Sequence, residues 1–317
     1  MEILIERSFL NAGFARLAGF RTRRESAMPY RASMMLPCAA LAALMLSACQ
    51  QQAATGMPPA SESSTPVIAP ASTVPAAAPA SASTVALPGD HAVTRHYRIA
   101  ITLPALPADE APLANALRAT ADNAKREFLQ ALPDPKQMPA FANRQFEMLL
   151  DFKVAADTPA FTSVRETGMQ DTGGVHPIPV EASFVYDRKA AHVIALDDLF
   201  TDPDAARKAL AGFARAELGR KLMANAPKPG EGSPEAIREW KTNMLQMLDD
   251  GTRPTVVNFS VFTVRAGSDA RAPSPGLTLI FPPYQVAPYV YGTQTVDVPA
   301  SLFATFLKPE YRNAFAP

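Results

Sequence analysis

Cysteine is scarce in this sequence, and its scarcity excludes several kinds of site. Two cysteines occur among 317 residues, Cys38 inside an apolar run and Cys49 at its end. If the run is removed on export, Cys49 alone remains, and the chain can form no internal disulfide, thiolate nucleophile or thiolate metal site. An exported chain without disulfides depends on its hydrophobic core for stability.

An excess of charge of one sign is also missing. The chain has 30 Lys and Arg residues and 30 Asp and Glu residues. Because a nucleic-acid surface needs a basic excess, we predict no nucleic-acid partner. The sequence also lacks a Gly-x-Ser-x-Gly elbow, a phosphate-binding loop and a dinucleotide fingerprint. We therefore predict no cofactor and no enzymatic activity.

The apolar run at residues 34–48 is typical of a secretory signal. Arg31 precedes it, and the run is too short to span a bilayer. Leu46-Ser47-Ala48 precedes Cys49 as in a lipobox, so we predict that Cys49 is acylated and becomes the new N-terminus. The alternative is a plain signal peptide with a chance cysteine.

The position of the signal indicates a later start of translation. Signals of this kind begin within about 15–30 residues of their cleavage site. We therefore expect translation from Met28, which makes residues 1–27 a mis-assigned extension and residues 28–49 the lipoprotein signal peptide. In a host with two membranes, Gln50 rather than Asp after Cys49 favours the outer membrane. The predicted location is extracytoplasmic and lipid-anchored, facing the periplasm.

We predict that residues 50–90 form a disordered tether. A segment made mostly of Ala, Ser, Thr and Pro cannot bury enough apolar surface to fold. Beyond it, hydrophobic periodicity predicts an α+β fold of antiparallel sheets with helices on one face, in two related halves at 91–200 and 201–317. The predicted strands are 93–103, 146–154, 161–170, 180–187, 192–196, 256–264, 277–281 and 295–298, and the predicted helices are 112–132 and two that begin at Pro203 and Pro234.

The first half is organised around the stretch 173–200. Gly173 and Gly174 precede His176, and the alternation after them predicts a strand with one buried side. The simplest interpretation of His176 is structural, with its imidazole bonded to a carbonyl, and Asp198 is interpreted as a cap. Ligand contact by His176 stays open. So does a metal site, which would need His176, His192 and carboxylates such as Asp171 to converge.

The second half contains an aromatic and proline-rich segment after residue 276. Rigid aromatic side chains suit sugar rings and partner loops, so Tyr284, Tyr289 and Tyr291 are candidate ligand contacts. Arg265 and Arg271 in the preceding loop are candidate polar rim contacts. The alternatives are aromatic residues that fill the core and a flexible loop without a partner.

These motifs resemble one known family. Gly-Gly-X-His-Pro, a hairpin and Leu-Asp-Asp-Leu-Phe, followed by Phe-X-Pro-Tyr, Ala-Pro-Tyr and Val-X-X-Pro, are similar to the RsiV-like ectodomain family. Its members occur in anti-sigma factors, beside peptidoglycan deacetylase domains and as stand-alone lipoproteins. The family often has Glu where Gln285 stands.

The resemblance implies a binding domain at the cell envelope. The expected ligand is a lysozyme-like protein or peptidoglycan fragments. Two other classes of function stay open: a cryptic hydrolase or metal-dependent enzyme centred on His176, and a purely structural envelope protein. A second apolar stretch that could pass a signal inward, as in the anti-sigma members, is missing from the sequence.

Overall fold

The computed structural model describes residues 84–134, 136, 143–269 and 272–316. The predicted signal peptide with Cys49, the tether up to residue 83 and Arg271 lie outside these residues. No helix in the described ranges is long and apolar enough to cross a bilayer.

The described residues form groups of strands separated by helices. The strands are β1 (Thr84–Val85), β2 (Asp90–Val93), β3 (Tyr97–Thr102), β4 (Leu106–Pro107), β5 (Phe146–Asp157), β6 (Phe161–Asp171), β7 (Ile178–Asp187), β8 (His192–Ile194), β9 (Phe262–Val264), β10 (Gly276–Phe281) and β11 (Gln294–Pro299). The α-helices are α1 (Ala111–Ala131), α2 (Pro203–Met223), α3 (Pro234–Gly251) and α4 (Ala300–Phe303). The predicted α+β class is confirmed.

A six-stranded sheet with the order β2-β3-β5-β6-β7-β8 forms the centre of the first half. Its neighbouring strands are antiparallel except for β3 and β5, which pair in parallel. The sequence predicts an all-antiparallel sheet here. The difference arises because α1 connects β3 to β5 and returns the chain to the end of the sheet where β3 began.

Helix α1 covers one face of this sheet with the apolar side that its periodicity predicts. Leu113, Leu117 and Phe128 are completely buried against Met148, Phe152 and other strand residues. Burial of each such side chain contributes about 1.5–3 kcal/mol relative to exposure. This layer is the first of two hydrophobic cores.

The second core lies between the other face of the large sheet and the rest of the chain. Helices α2 and α3 contribute to it with a three-stranded sheet of order β11-β10-β9. Phe161 and Val185, from the large sheet, belong to the same core. This core therefore contains residues from both sides of the boundary predicted at residue 200, and that boundary stays a prediction.

Strand β7 corrects the expectation of a single buried side. Val185 lies in the second core and Tyr186 in the first, and both are almost completely buried. The residue after them, Asp187, is also buried and accepts hydrogen bonds from the backbone of Lys189 and from the hydroxyl of Tyr311, 2.8 Å in each case. A period of two shows which residues share a face, but it does not show that the second face is covered.

The predicted strand over residues 256–264 is wrong in its first part. Residues Val257–Phe259 form a 3-10 turn, and strand β9 begins at Phe262. The Asn258 side chain explains the turn, since its Nδ2 donates to the carbonyls of Asp250 and Arg253 at the end of α3. Such local side-chain bonds compete with strand formation.

Two serine hydroxyls connect the two sheets. Strand β9 lies at the edge of its sheet, so the N–H groups of Phe262 and Val264 point away from β10. The Phe262 N–H donates to Oγ of Ser183 at 2.9 Å, and the Val264 N–H donates to Oγ of Ser163 at 3.0 Å. Each bond satisfies a donor that an edge strand would otherwise leave without a partner.

Ser163→Ala tests this connection. We expect it to lower the free energy of unfolding by about 1–3 kcal/mol, because it leaves a buried N–H without an acceptor. Ser183→Ala should cost less, since its bond is only partly buried. Urea unfolding measures both. The exposed Ser260→Ala is the control, and equal effects of Ser163→Ala and the control would refute the role of the hydroxyl.

Candidate functional site

Three rings from two distant segments of the chain meet in one cluster. The His176 ring stacks on Tyr289, with centroids 4.6 Å apart and planes inclined by 21°. The Tyr284 ring lies 6.0 Å from His176 and 5.5 Å from Tyr289. We call these three residues the ring cluster. It joins the Gly-Gly-X-His motif before β7 to the tyrosine loop, residues 282–293, between β10 and β11.

The hydrogen bonds of His176 define which ring nitrogen carries the proton. Nδ1 lies 3.0 Å from the carbonyl oxygen of Pro177, and Nε2 lies 2.9 Å from the hydroxyl oxygen of Tyr284. A carbonyl oxygen only accepts, so Nδ1 must donate. In the neutral imidazole Nε2 then accepts the hydroxyl proton of Tyr284. The histidine thus bonds a carbonyl and at the same time lies exposed beside the two tyrosines.

Asp171 holds the glycine turn that carries His176. Its carboxylate accepts from the Gly173 N–H at 2.9 Å and from Nη2 of Arg144 with both oxygens, also at 2.9 Å. Burial alone would raise the pKa of Asp171, but these bonds outweigh it and lower that pKa. Gly173 has φ 103°, a region that favours glycine. Gly174 follows it in an exposed position.

Tyr284 adopts an unusual backbone conformation. Its φ is 70°, in the left-handed region that is rare for a bulky side chain. Such a conformation costs about 1–3 kcal/mol and persists only where the surroundings enforce it. The Tyr284 N–H donates to the carbonyl of Ala287 at 3.1 Å, which closes the turn that directs the ring toward His176.

Gln285 fastens the tyrosine loop to the end of α3. Its Nε2 donates to the carbonyls of Gly251 at 3.0 Å and Asn258 at 2.9 Å. The two backbones approach so closely that a Cβ at Gly251 would collide with the carbonyl of Gln285. An amide nitrogen provides two donors, and a carboxylate provides none.

Glu181 fastens the other end of the loop to β7. Both carboxylate oxygens accept from Arg165, at 3.1 and 2.9 Å, and Oε1 also accepts from the Thr293 hydroxyl at 2.6 Å. The Glu181 side chain is 7% exposed, so its charge is buried and is compensated by Arg165.

Exposed aliphatic side chains lie close in sequence to residues of the ring cluster. Val175 is fully exposed, Val290 is 85% exposed and Ile178 is 57% exposed. Each is within two residues of His176 or Tyr289 in the chain. The charged residues that hold this region, Asp171 and Glu181, are paired with arginines. The chain segments that carry the cluster therefore expose aliphatic groups, while their nearby charges are paired.

The remaining candidate residues lie elsewhere. Tyr291 is partly buried against the second core. Arg265 lies at the opposite end of β10 from Tyr284, about 17 Å along the strand, and pairs with Asp297 at 3.5 Å. Arg271 is outside the described residues. Oδ2 of Asp198 accepts from the Ala195 N–H at 2.8 Å, which caps a short 3-10 turn.

The metal-site alternative required His176 and His192 to converge. His192 pairs with Asp187 at the far end of β7, about 30 Å from the end that carries His176. Asp171 is bonded to Arg144. Within the described parts of the chain, no group of three His, Cys, Asp or Glu residues could hold a metal ion.

Sequence reasoning did not find the residues that position the ring cluster. Two of them, Gln285 and Thr293, lie in the tyrosine loop. Their partners, at the end of α3 and on β7, are far away in the sequence and become neighbours only in the folded chain. Arg165, which orients Glu181, lies on β6. The sequence did contain a signal for Glu181, because it alternates with apolar residues in a predicted strand. The side of the strand that carries Glu181 was expected to face water. The second core removes that water.

One family model, whose function is unknown, matches part of the chain. Residues 197–301, which include Tyr284 and Tyr289 but not His176, match the model described as "Protein of unknown function (DUF3298)". A solved DUF3298 family structure from Pseudomonas aeruginosa is 18% identical, with a TM-score of 0.43. The match covers 73% of this chain and 97% of the chain of that structure. For a solved member of that family from Bacteroides fragilis, the identity is 15% and the TM-score is 0.44. The match covers 72% of this chain and 94% of the chain of that structure. No curated protein matches the chain.

Gln285→Glu tests the attachment of the tyrosine loop. At neutral pH the new carboxylate would face two carbonyl oxygens, so we expect a loss of about 1–3 kcal/mol in the free energy of unfolding. The unfavourable contact raises the pKa of the new carboxyl in the folded state. The loss should therefore be smallest below the unfolded value of about 4.3, where the protonated carboxyl still donates to one of the two carbonyls, and should grow as pH rises through the folded pKa.

Unfolding measured between pH 3.5 and 8 checks this expectation. The matched control is Gln246→Glu, which adds the same charge at an exposed position on α3. A Gln285→Glu profile that runs parallel to the control would show that Gln285 does not hold the loop through its donors.

Proposed function

We propose that this protein is an RsiV-like binding module, anchored by a lipid on Cys49 outside the cytoplasm, that contacts its ligand through the ring cluster. One observation carries the proposal. The two motifs that resemble that family, 108 residues apart, meet as one exposed aromatic surface joined by the bond between His176 and Tyr284.

The backbone strain and the exposed aliphatic side chains of this surface support a binding role. Tyr284 has a strained backbone, while Val175 and Val290 expose aliphatic surface that the core does not use. Strained residues and exposed apolar groups concentrate at binding sites, because a ligand is what makes them favourable. The surrounding hydrogen bonds hold the rings in advance, so binding loses little conformational entropy.

The chemistry of the surface suits the two proposed ligands. Tyrosine rings with accessible aliphatic neighbours pack against apolar loops of a protein partner, such as a lysozyme-like protein. The same rings can stack on the sugar faces of peptidoglycan fragments. Because Asp171 and Glu181 are neutralised by arginines, a ligand does not have to pair with a charge here.

Tyr289→Ala is the test of the binding surface. We titrate the full-length chain with c-type lysozyme and with soluble muropeptides by calorimetry. Removal of the ring should weaken binding at least about tenfold, because central aromatic residues contribute most of the affinity at such surfaces. The control is Arg265→Ala, which lies at the opposite end of β10 and should leave the affinity unchanged. The absence of heat with both ligands at high micromolar concentration would contradict the proposal.

Cys49→Ala tests the anchor. Without the sulfur no acyl chain can be attached, so the variant should lose fatty-acid labelling and leave the membrane fraction. Lipidation of the unchanged chain serves as the reference. Equal labelling and equal fractionation of the two chains would show that Cys49 is not the anchor.

A further inference from the structure

We propose that Glu181 is a positioning residue for the ring cluster. Glu181 acts on Tyr289 through the hydroxyl of Thr293. The proposal rests on the proposed function only for its consequence in binding, because the position of the rings is measurable without a ligand.

The same two chain segments are joined twice. His176 lies two residues before β7 and Glu181 lies within it, while Tyr289 and Thr293 both belong to the tyrosine loop. One connection is the ring stack, at 4.6 Å, and the other is the hydrogen bond from Thr293 to Glu181, at 2.6 Å. The second connection therefore determines how the loop lies against the segment that carries His176.

The bond from Thr293 is well suited to fix a position. Arg165 contacts both oxygens of Glu181 with its planar guanidinium, which orients the carboxylate and compensates its buried charge. A hydrogen bond to a carboxylate is stronger than one between neutral groups.

Gly292 shows what this bond restrains. It directly precedes Thr293, has φ 62°, and has no heavy atom within 4 Å of the place where a Cβ would lie. Glycine turns easily about its backbone bonds. Within this segment, Nε2 of Gln294 donates to the carbonyl of Tyr291 at 2.6 Å, which ties it to the start of β11 but not to β7. Once Thr293 is released, a pivot at Gly292 can therefore still shift Tyr289 relative to β7. The attachment at Gln285 lies on the other side of Tyr289 and does not restrain this pivot.

A pair of substitutions at Thr293 tests the proposal in the full-length chain without ligand. Thr293→Val keeps the shape and removes the hydroxyl, and Thr293→Ser keeps the hydroxyl and removes the methyl group. The control is Thr295→Val, which removes an exposed hydroxyl on β11. Nuclear Overhauser contacts between the His176 and Tyr289 rings report the stack, and hydrogen exchange of the amides of residues 289–292 reports the loop.

We expect Thr293→Val to weaken the ring contacts and to speed this exchange roughly tenfold or more, as loss of a hydrogen bond to a charged group predicts. Thr293→Ser and Thr295→Val should behave like the unchanged chain. Glu181→Gln, which disturbs the arginine fork, should reproduce the effect of Thr293→Val. Unchanged contacts and unchanged exchange in Thr293→Val would overturn the proposal.

The outcome is separable from that of the proposed function. If the unchanged chain binds neither lysozyme nor muropeptides while Thr293→Val still loses the ring contacts, the proposed function fails and the positioning role stands. If the unchanged chain binds and Thr293→Val binds equally with intact ring contacts, the binding surface stands and the positioning role is overturned.

Discussion

The arrangement of the two sheets depends on which acceptors the backbone N–H groups of edge strand β9 find. Backbone donors on an edge strand need acceptors when another layer covers them, and here Ser163 and Ser183 provide those acceptors from the face of the large sheet. The two bonds fix the direction and height of β9. Since β10 pairs with β9 and β11 pairs with β10, these bonds connect the whole small sheet to the large one, in addition to the core that the two sheets share.

The location of the ring cluster follows from that constraint. Strands β10 and β11 end together at Phe281 and Gln294, so the loop between them must project from that end of the small sheet. The fixed position of β9 brings this end beside the start of β7, where the glycine turn presents His176. Two segments that are unrelated in the sequence thereby become one surface.

Local signals predicted the helices well and the layers less well. Helices α2 and α3 begin at Pro203 and Pro234 as the sequence predicts, and the side chains of Asp202 and Ser233 cap them, because a helix start involves residues only a few positions apart. Long-range pairing decided the rest: the parallel contact of β3 and β5, the burial of both faces of β7, and the junction of the two motifs. For the candidate site, the sequence identified His176, Tyr284 and Tyr289 separately, but it placed Arg265 with the tyrosines because nearness in the chain was the only available measure of nearness in space.

The ring cluster is held by directed polar bonds, since exposed rings cannot be held by burial. Hydrogen bonds impose distances and angles, whereas packing imposes mainly volume, so Gln285, Glu181 and Asp171 can set ring geometry that the core does not determine. A chain with the same sheets but other polar residues at these places would hold its rings differently. A likeness of fold therefore leaves the ligand open, because function belongs to the side chains of a site and not to the fold that carries them.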